Sequence, residues 1–313
     1  MIVDCWWRKS FDLIATLKTS GVGGILSKLA NYADMDSRGV DVALAFTPIR
    51  MKNWEWRSNF TMGYNTTKIT NSKNLPSIYN LTRATGGNLE GYPVNSLFSI
   101  KYTGLDHETG VPYFINESGD VSHNVYFQST NVDHLKFEGS VDPKYTGGWS
   151  NTFRCKDLSL NVFLTYQAGN KIRLAPQFSA SYNDLDAMSN IFRDRWIQPG
   201  DEEFTDVPSI MDDLTRTNLS GAYPYSAYNY SDVRVAKGDF IRLKTVSLTY
   251  KFPKSLLAKT NFIGNASLTV AGNNLWLIYA DKKLNGQDPE FYNTGGVAQP
   301  VSRQFTVALN VGF

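Results

Sequence analysis

The residues that could do chemistry are few, and their spacing supports no catalytic site. The three histidines, His107, His123 and His134, lie in one long segment at spacings that match no metal-binding signature. The acidic clusters DHE at 106–108 and DEE at 201–203 could supply paired carboxylates for glycoside hydrolysis, but solvated loop charges are the simpler interpretation. No glycine-rich phosphate loop, GxSxG motif or credible Cys/His pair occurs. The sequence therefore predicts neither an enzyme nor a cofactor.

The composition argues against several other classes of protein. The 313 residues carry 31 basic and 29 acidic side chains without a long basic run, so no nucleic-acid partner is expected. Cys5 and Cys155 match neither a metal site nor a CxxC motif and are interpreted as free thiols. No run of about 18 apolar residues encodes a membrane-spanning helix. The composition does not exclude a membrane β-barrel, because lipid-facing residues of a barrel alternate with polar ones and a mean hydropathy of -0.30 is normal for such a protein.

Apolar and polar residues alternate with a period of two along much of the chain, which predicts antiparallel strands. The alternation predicts one hairpin over 40–64, a second over 145–167, and three further strands at 238–252, 265–278 and 303–313. Strands of about ten residues exceed the globular norm of about five or six and match what a tilted strand needs to cross a bilayer. The pattern favours an all-β fold, an antiparallel transmembrane β-barrel.

The stretch GDFIRLKTVSLTYKF, residues 238–252, changes parity within one strand. Ile241 and Leu243 are apolar at odd positions, whereas the apolar set from Val246 to Phe252 is even. A β-bulge near a barrel rim would produce such a switch, with polar surface above it and a lipid-facing stripe below. A half-buried strand of a soluble sandwich is the alternative.

The predicted connections alternate between short and long. The short ones are TPIRMKN, CKDL and FPKSLLAKTNFIGN, and the long ones are 65–144, 169–237 and 279–302. Short turns at one end of the strands and long loops at the other are typical of outer-membrane barrels. Inside the long segments, extra strands are expected at 94–104 and 123–136, and a short helix near 184–196.

A tyrosine-rich stretch in one long segment supplies candidate ligand-binding side chains. The stretch is GAYPYSAYNYSD, residues 221–232, and the candidates are Tyr223, Tyr225, Tyr228 and Tyr230, together with Trp196 upstream. Aromatic faces stack on sugar rings and on peptides at a low cost in conformational entropy. Alternatively, these side chains pack the loop itself or contact a protein partner.

Several segments resemble one known family, in the order in which the family has them. The chain resembles the SusC/RagA-type TonB-dependent outer-membrane transporters of Bacteroidetes over nearly its whole length. The segments are SRGVDVALAFTPIRMKNWEWRSNFTMGYN (37–65), EGYPVNSLFSIKYTGLDHETGVPYF (90–114), PKYTGGWSNTFRCKDLSLNVFLTYQAGNKI (143–172), RWIQPGDEE (195–203), GDFIRLKTVSLTYKFPKSLL (238–257), LTVAGNNLWL (268–277), GQDPEF (286–291) and the terminal aromatic strand.

The resemblance implies a plugged barrel of about 22 strands in the cell outer membrane. Such a barrel imports oligosaccharides or peptides without a cofactor, under a SusD-like surface lipoprotein, and is energised by the TonB–ExbB–ExbD system. Residues 1–313 are expected to form the C-terminal part of the barrel, with the plug, the signal peptide and the TonB-contacting segment outside this chain. The last strand is expected to close the barrel through its apolar set Phe305, Val307, Leu309, Val311 and Phe313.

Two functions of other classes remain open on the residues alone. A soluble or secreted glycan-binding β-sandwich would bury the same apolar faces against each other. A secreted β-rich hydrolase would use the loop carboxylates instead. The two cases differ from a membrane barrel in one structural respect, which is whether another layer of the protein covers the apolar face.

Overall fold

The fold is that of an antiparallel all-β protein with a few short helices. The computed structural model of the protein describes residues 1–18, 27–73, 75–179, 181–182, 187–219, 223–258, 262–292 and 302–313. Residues 184–186 of the predicted helix, and Gly221 and Ala222 of the tyrosine-rich stretch, lie outside the described residues.

The described strands and α-helices are as follows. The strands are β1 (Ile2–Lys18), β2 (Ser27–Arg50), β3 (Trp54–Ser72), β4 (Ser96–Ser99), β5 (Tyr102–Leu105), β6 (Pro112–Ile115), β7 (Val121–Ser122), β8 (Lys136–Ser140), β9 (Tyr145–Cys155), β10 (Leu158–Ala168), β11 (Lys171–Arg173), β12 (Val235–Lys237), β13 (Phe240–Lys251), β14 (Asn265–Tyr279) and β15 (Gln304–Gly312). The α-helices are α1 (Ile78–Thr82), α2 (Asp213–Asn218), α3 (Pro224–Asn229) and α4 (Lys254–Leu257).

Eight long strands form one open sheet in the order β1-β2-β3-β9-β10-β13-β14-β15. Each strand pairs antiparallel with the next long strand along the chain, so the sheet is an up-and-down meander. Both predicted hairpins and the three later strands form. Turns between β2 and β3, β9 and β10, and β13 and β14 lie at one end, and the long connections lie at the other.

One face of this sheet is apolar and uncovered. Residues paired across antiparallel strands share a face, and one such row runs through Phe153, Leu160, Leu248, Val270 and Val307. Val270 is 46% exposed and Val307 is 70% exposed. No second sheet packs on this row within the described residues. The arrangement therefore differs from a β-sandwich, in which two inner faces bury each other.

The parity change in β13 is a β-bulge, as predicted. Phe163 of β10 pairs with Thr245, but the next residue, Leu164, pairs with Leu243. Lys244 is thus the extra residue, and the register on the β14 side shifts at the same place. An extra residue reverses which side chains point to each face.

The bulge also corrects the expectation that the surface above it is polar. Because the parity reverses at the bulge, Ile241 and Leu243 point to the same face as Val246, and the apolar stripe continues past the switch. Sequence parity alone does not say to which face Arg242 points. In the structure it points to the polar face and is only 5% exposed.

Two polar side chains lie on the apolar face, and tryptophans cover them. Ser58 and Asn151 pair across β3 and β9, and both are buried. Trp149 Nε1 donates a hydrogen bond to Ser58 Oγ at 2.9 Å, and Trp56 Nε1 donates to Asn151 Oδ1 at 3.0 Å. Each indole satisfies a polar atom with its N–H and presents an apolar ring to the outside. The apolar character of the face is therefore kept at these positions.

The adjacent glycines of β9 make room for two rings of β10 on opposite faces. A Cβ on Gly148 would lie 2.9 Å from the ring of Phe163, the residue that interrupts the polar alternation of β10. A Cβ on Gly147 would lie 2.5 Å from Tyr166 Oη and closer still to the backbone oxygen of Thr61. The two glycines of the GGW sequence thus leave the space that Tyr166 and Phe163 of the neighbouring strand occupy.

At the end with the long connections, the described residues of 73–144 and 169–239 fold together into one body, the loop body. It contains the pairs β4–β8 and β11–β12 and the small sheet β5-β6-β7. Its core consists of Ile78, Leu81, Phe98, Ile100, Phe114, Val125, Leu135, Phe178, Phe192, Tyr225, Ala227 and Tyr228. Leu284 from the β14–β15 connection packs in a second cluster with Ile172, Leu174 and Ala236.

The predicted minor elements of the loops are only partly correct. The strand expected at 94–104 forms as β4 and β5, because pairing changes at Ile100, whose N–H donates to the backbone oxygen of Tyr230. The strand expected at 123–136 is wrong, since residues 123–135 are turns and irregular structure, and β8 begins at its last residue. The expected helix is a 3₁₀ turn at Asn190–Asp194. No helix among the described residues is long and apolar enough to span a membrane.

Candidate ligand-facing loop region

The loop body is held together around a buried arginine. The guanidinium of Arg173 donates to the backbone oxygens of Thr82, Phe98 and Ser231, at 3.2, 2.7 and 2.5 Å, and to Ser99 Oγ at 3.0 Å. Burial lowers the pKa of Arg173 to about 10, so the group stays charged at neutral pH. Because these oxygens belong to both long connections, one side chain from β11 joins the two.

The structure buries two of the four predicted loop tyrosines. Tyr225 and Tyr228 are 1% and 2% exposed and belong to the core of the loop body. Tyr225 Oη donates to the backbone oxygen of Ser209 at 2.6 Å, and burial raises the pKa of Tyr225 to about 12. Tyr228 makes an edge-to-face contact with Phe178 at 4.7 Å between ring centroids. Their rings pack the loop, which is the alternative that the sequence left open, and their contact with a ligand stays a prediction.

The other two tyrosines differ from each other. Tyr230 is partly buried and packs edge to face against Tyr79 and Phe127, at 6.1 and 5.5 Å. Tyr223 is the residue before α3 and is 64% exposed. Tyr223 is the most exposed of the four, and direct ligand contact stays a prediction.

Trp196 joins the RWIQPGDEE segment to the DHETG turn instead of facing solvent. It is 7% exposed, and a Cβ on Gly110 would collide with its indole ring, so the close contact needs a glycine there. Trp196 Nε1 donates to Glu202 Oε2 at 3.0 Å, while the other oxygen of Glu202 lies 2.5 Å from His107 Nδ1. The structure therefore encloses the ring that was expected to serve as a ligand platform, and its contact with a ligand stays a prediction.

The acidic clusters are explained by local hydrogen bonds. The bond with His107 lowers the pKa of Glu202 to about 2, and the same bond raises the pKa of His107. Asp106 accepts from the N–H and Oγ1 of Thr109 and from Tyr113 Oη, which fixes the turn between β5 and β6. These contacts are hydrogen bonds within and between the turns, which explain the acidic clusters without a catalytic role.

The remaining histidines and the cysteines form no metal site in the described part of the chain. His123 stacks on Tyr113 at 3.8 Å, and its Nδ1 lies 2.9 Å from the backbone oxygen of Pro112. Burial lowers the pKa of His134. Cys5 and Cys155 are exposed free thiols. No group of three His, Cys, Asp or Glu side chains that could hold a metal ion occurs within these ranges.

A polar cavity of about 320 Å³ lies where three segments of the long connections meet. Its polar lining consists of Gln177, Ser189, Asn190, Asp194, Arg234, Lys283, Asn285, Gln287 and Tyr292. Such amides and opposite charges can hydrogen-bond to sugar hydroxyls or to peptide groups. No local pattern predicts this site, because its residues come from separate loops.

The chain is similar over its length to known proteins. No family model matches it. It is 24% identical to TonB-dependent receptors P39 and P26 of Formosa agariphila and 23% identical to receptor P3 of the same organism, each over 99% of the chain. The chain spans about a third of the length of these relatives, 32 to 33%. The predicted resemblance to TonB-dependent receptors of the outer membrane is confirmed.

Solved structures with the same fold include the RagAB peptide transporter. The chain superimposes on the RagAB peptide transporter with a TM-score of 0.74 at 24% identity, covering 99% of the chain and 33% of that protein. The "closed-closed" state of the RagAB peptide importer gives 0.75 with the same coverage. This likeness establishes the fold, a segment of a RagA-type β-barrel whose sheet is not closed by the described strands.

Proposed function

We propose that this chain, which is similar in sequence to TonB-dependent receptors and in fold to RagAB, is the C-terminal part of the barrel of an outer-membrane transporter. The observation that most strongly supports this proposal is the eight-stranded meander with an uncovered apolar face and all of its described long connections at one end. A sheet exposing such a face is stable in lipid, where apolar residues need no further cover. The plug, the signal peptide and the TonB-contacting segment belong to the rest of the protein.

The proposed transport is TonB-energised import of an oligosaccharide or a peptide. The polar cavity lined by Gln177, Asn190, Arg234, Lys283 and Tyr292 supports this, because its donors and acceptors suit the hydroxyls of sugars and the amides of peptides. Exposed Tyr223 adds a ring face on the same loop body. The energy comes from the TonB–ExbB–ExbD system, which contacts the protein outside this chain.

The proposed partner is a SusD-like surface lipoprotein seated on the loop body. Exposed apolar side chains support a protein contact there, since Phe204, Leu214 and Ile197 are 88%, 71% and 64% exposed in polar segments of the loop body. Exposed apolar surface rimmed by polar residues is a mark of protein interaction sites. Phe204 would be the central residue of this contact.

The last strand is proposed to close the barrel. β15 pairs with β14 along one edge, and its other edge has no neighbour among the described strands. An open edge in lipid leaves backbone groups without hydrogen bonds, so another strand of the full barrel is needed there. The apolar set Phe305, Val307, Leu309 and Val311 would face lipid in that arrangement.

Uptake by cells that carry the full-length protein tests the proposal. Labelled oligosaccharides and peptides are offered separately, with and without a protonophore, and the protein is tracked through membrane fractionation. We expect the protein in the outer-membrane fraction, uptake of one substrate class, and loss of uptake when the proton gradient collapses. Recovery in the soluble fraction would instead support the secreted glycan-binding alternative, and uptake that ignores the protonophore would exclude TonB energisation.

A further inference from the structure

The apolar face changes to a basic one within two rows of β1, β2 and β3. Residues directly opposite each other in these strands share a face and form rows across it. Two successive apolar rows are Val3–Val42–Met62 and Cys5–Val40–Tyr64. The next two rows on the same face, toward the long connections, are Trp7–Arg38–Thr66 and Lys9–Asp36–Lys68. The face that begins as a lipid-facing surface therefore ends in a tryptophan and three cations.

These two rows line a cavity of about 450 Å³ that is closed on one side by Pro93. Pro93 sits there because it pairs with Lys68 in an isolated bridge that continues the edge of β3 above β9. Lys9, Arg38 and Lys68 carry three positive charges against the single carboxylate of Asp36. Among the described residues none of these cations has an acidic side chain within 4.0 Å. The cavity thus has cationic groups available for an anion.

The position of this cavity decides what kind of anion fits it. Tyr64 and Tyr145, whose rings lie 5.1 Å apart, end the apolar band on β3 and β9, as aromatic residues do at a membrane interface. On the outer surface of the sheet, Arg38 lies in the next row above Tyr64, and Lys9 and Lys68 lie in the row after that. Trp7, which pairs with Arg38, is 82% exposed. In a membrane, this level is occupied by lipid headgroups, and the apolar rows below it by acyl chains.

We propose that this basic cleft binds the phosphate group of a lipid in the outer leaflet, with the acyl chains along Val40, Val42 and Tyr64. Lys9, Arg38 and Lys68 supply the charge, and Trp7 packs against the upper part of the chains. This inference rests on the proposed outer-membrane placement of the chain. A free phosphate would satisfy the same cations but would leave Trp7 and the apolar rows without a partner.

Lipid retention by the full-length protein tests the inference. The protein is purified in detergent and placed in nanodiscs whose lipids have identical acyl chains and either carry or lack headgroup phosphate, and bound lipid is counted by native mass spectrometry. The variant Lys9→Ala/Arg38→Ala/Lys68→Ala is compared with Lys52→Ala/Lys251→Ala/Lys254→Ala, which removes the same charge from exposed residues toward the short turns. We expect affinity for the phosphorylated lipid to fall on the order of 100-fold in the first variant only.

Measurements on the unaltered protein keep the test decisive if the triple variant does not fold. Retention of the phosphorylated lipid by the wild type should fall as salt rises, because exposed charges are screened, and inorganic phosphate should compete only weakly. Equal retention of the lipid without phosphate, or equal loss in both triple variants, would overturn the inference. Competition by inorganic phosphate as strong as by lipid would assign the cleft to a free anion. Failure of the proposed function would be visible separately, as absence of the protein from the outer-membrane fraction.

Discussion

Arg242 and Asp288 form a buried ion pair that joins the sheet to the β14–β15 connection. Arg242 Nη2 lies 2.5 Å from each carboxylate oxygen of Asp288, and the two side chains are 6% and 7% exposed. Glu290 adds a second carboxylate at 3.2 Å from Arg242 Nε. The bulge at Lys244 directs Arg242 to the polar face of the sheet. The parity switch in β13 thereby brings Arg242 to Asp288 and Glu290 of the GQDPEF segment.

Breaking this ion pair should destabilise the barrel. Asp288→Asn leaves the buried guanidinium with the partly exposed Glu290 as its remaining charge partner, which should cost about 3 kcal/mol, the low end for a broken buried pair, whereas Arg242→Leu/Asp288→Leu should recover most of that loss. Glu290→Gln, at a side chain 37% exposed, should cost much less. Urea unfolding of the full-length protein in vesicles measures all three, and equal costs for Asp288→Asn and Glu290→Gln would contradict the assignment.

The His107–Glu202 contact should make the loop body pH-dependent. The pKa of His107 is raised above 6.5 by its bond to Glu202, so its contribution is complete below pH 6.5 and is lost as pH rises through the higher folded-state value. The pKa of Glu202 is lowered to about 2, so its contribution is present above pH 4.5 and is lost only as pH falls toward 2. Hydrogen-exchange protection factors, in which the intrinsic pH dependence of amide exchange is removed, should therefore be higher at 106–110 and 196–203 at pH 6 than at pH 8. A His107→Gln variant should abolish that difference, and persistence of it would exclude His107 as the cause.

The two glycines of β9 should differ in how they tolerate alanine. Gly148→Ala meets only the ring of Phe163 and should cost about 1 to 3 kcal/mol, most of which Phe163→Leu should restore. Gly147→Ala meets the backbone of Thr61 as well as Tyr166, so no side-chain change should rescue it. Gly264→Ala, whose nearest neighbour would lie 3.6 Å away, is the control. The thermal unfolding of folded, membrane-inserted protein reports the order.

A new charge should destabilise the protein more on one face of β10 than on the other. Val162 pairs with Val246 on the apolar face, and Val162→Arg should cost about 2 to 4 kcal/mol near the bilayer midplane. Asn161 on the polar face donates hydrogen bonds to Thr152 Oγ1 and Ser150 Oγ, so Asn161→Arg should cost only about 1 kcal/mol for their loss. Folding titrations of the full-length barrel into vesicles compare the two. Similar costs would argue that the apolar face does not contact lipid.

Deleting Phe313 should impair assembly of the full-length protein. Phe313 is 88% exposed and stacks on Phe262 at 6.3 Å, so it ends the apolar set of β15 next to the short turns. Removal shortens the strand proposed to close the barrel, whereas Thr306→Ala changes only its polar face. The amount of protein in the outer-membrane fraction is the measure. Unchanged abundance of the truncated protein would remove the main support for a barrel-closing role.

The sequence by itself determined seven of the eight long strands and the position of the bulge, whereas it did not predict β1. These features depend on a period of two and on turn residues, which are local properties that neighbouring residues set. The alternation in 145–167 therefore predicted the β9–β10 hairpin, and the parity change at Lys244 predicted the bulge in β13. The different lengths of the connections likewise predicted which end of the sheet has the short turns and which end has the long loops.

Only the tertiary structure decided what the loop residues do. Tyr225, Tyr228 and Trp196 look like ligand-binding aromatics in a polar sequence, but packing between two connections far apart in the chain buries them. The same holds for Arg173, whose partners Thr82 and Ser231 lie on different connections. The physical reason is that burial is a long-range property, because a side chain is enclosed by whichever segments the fold brings around it and no local pattern specifies those segments.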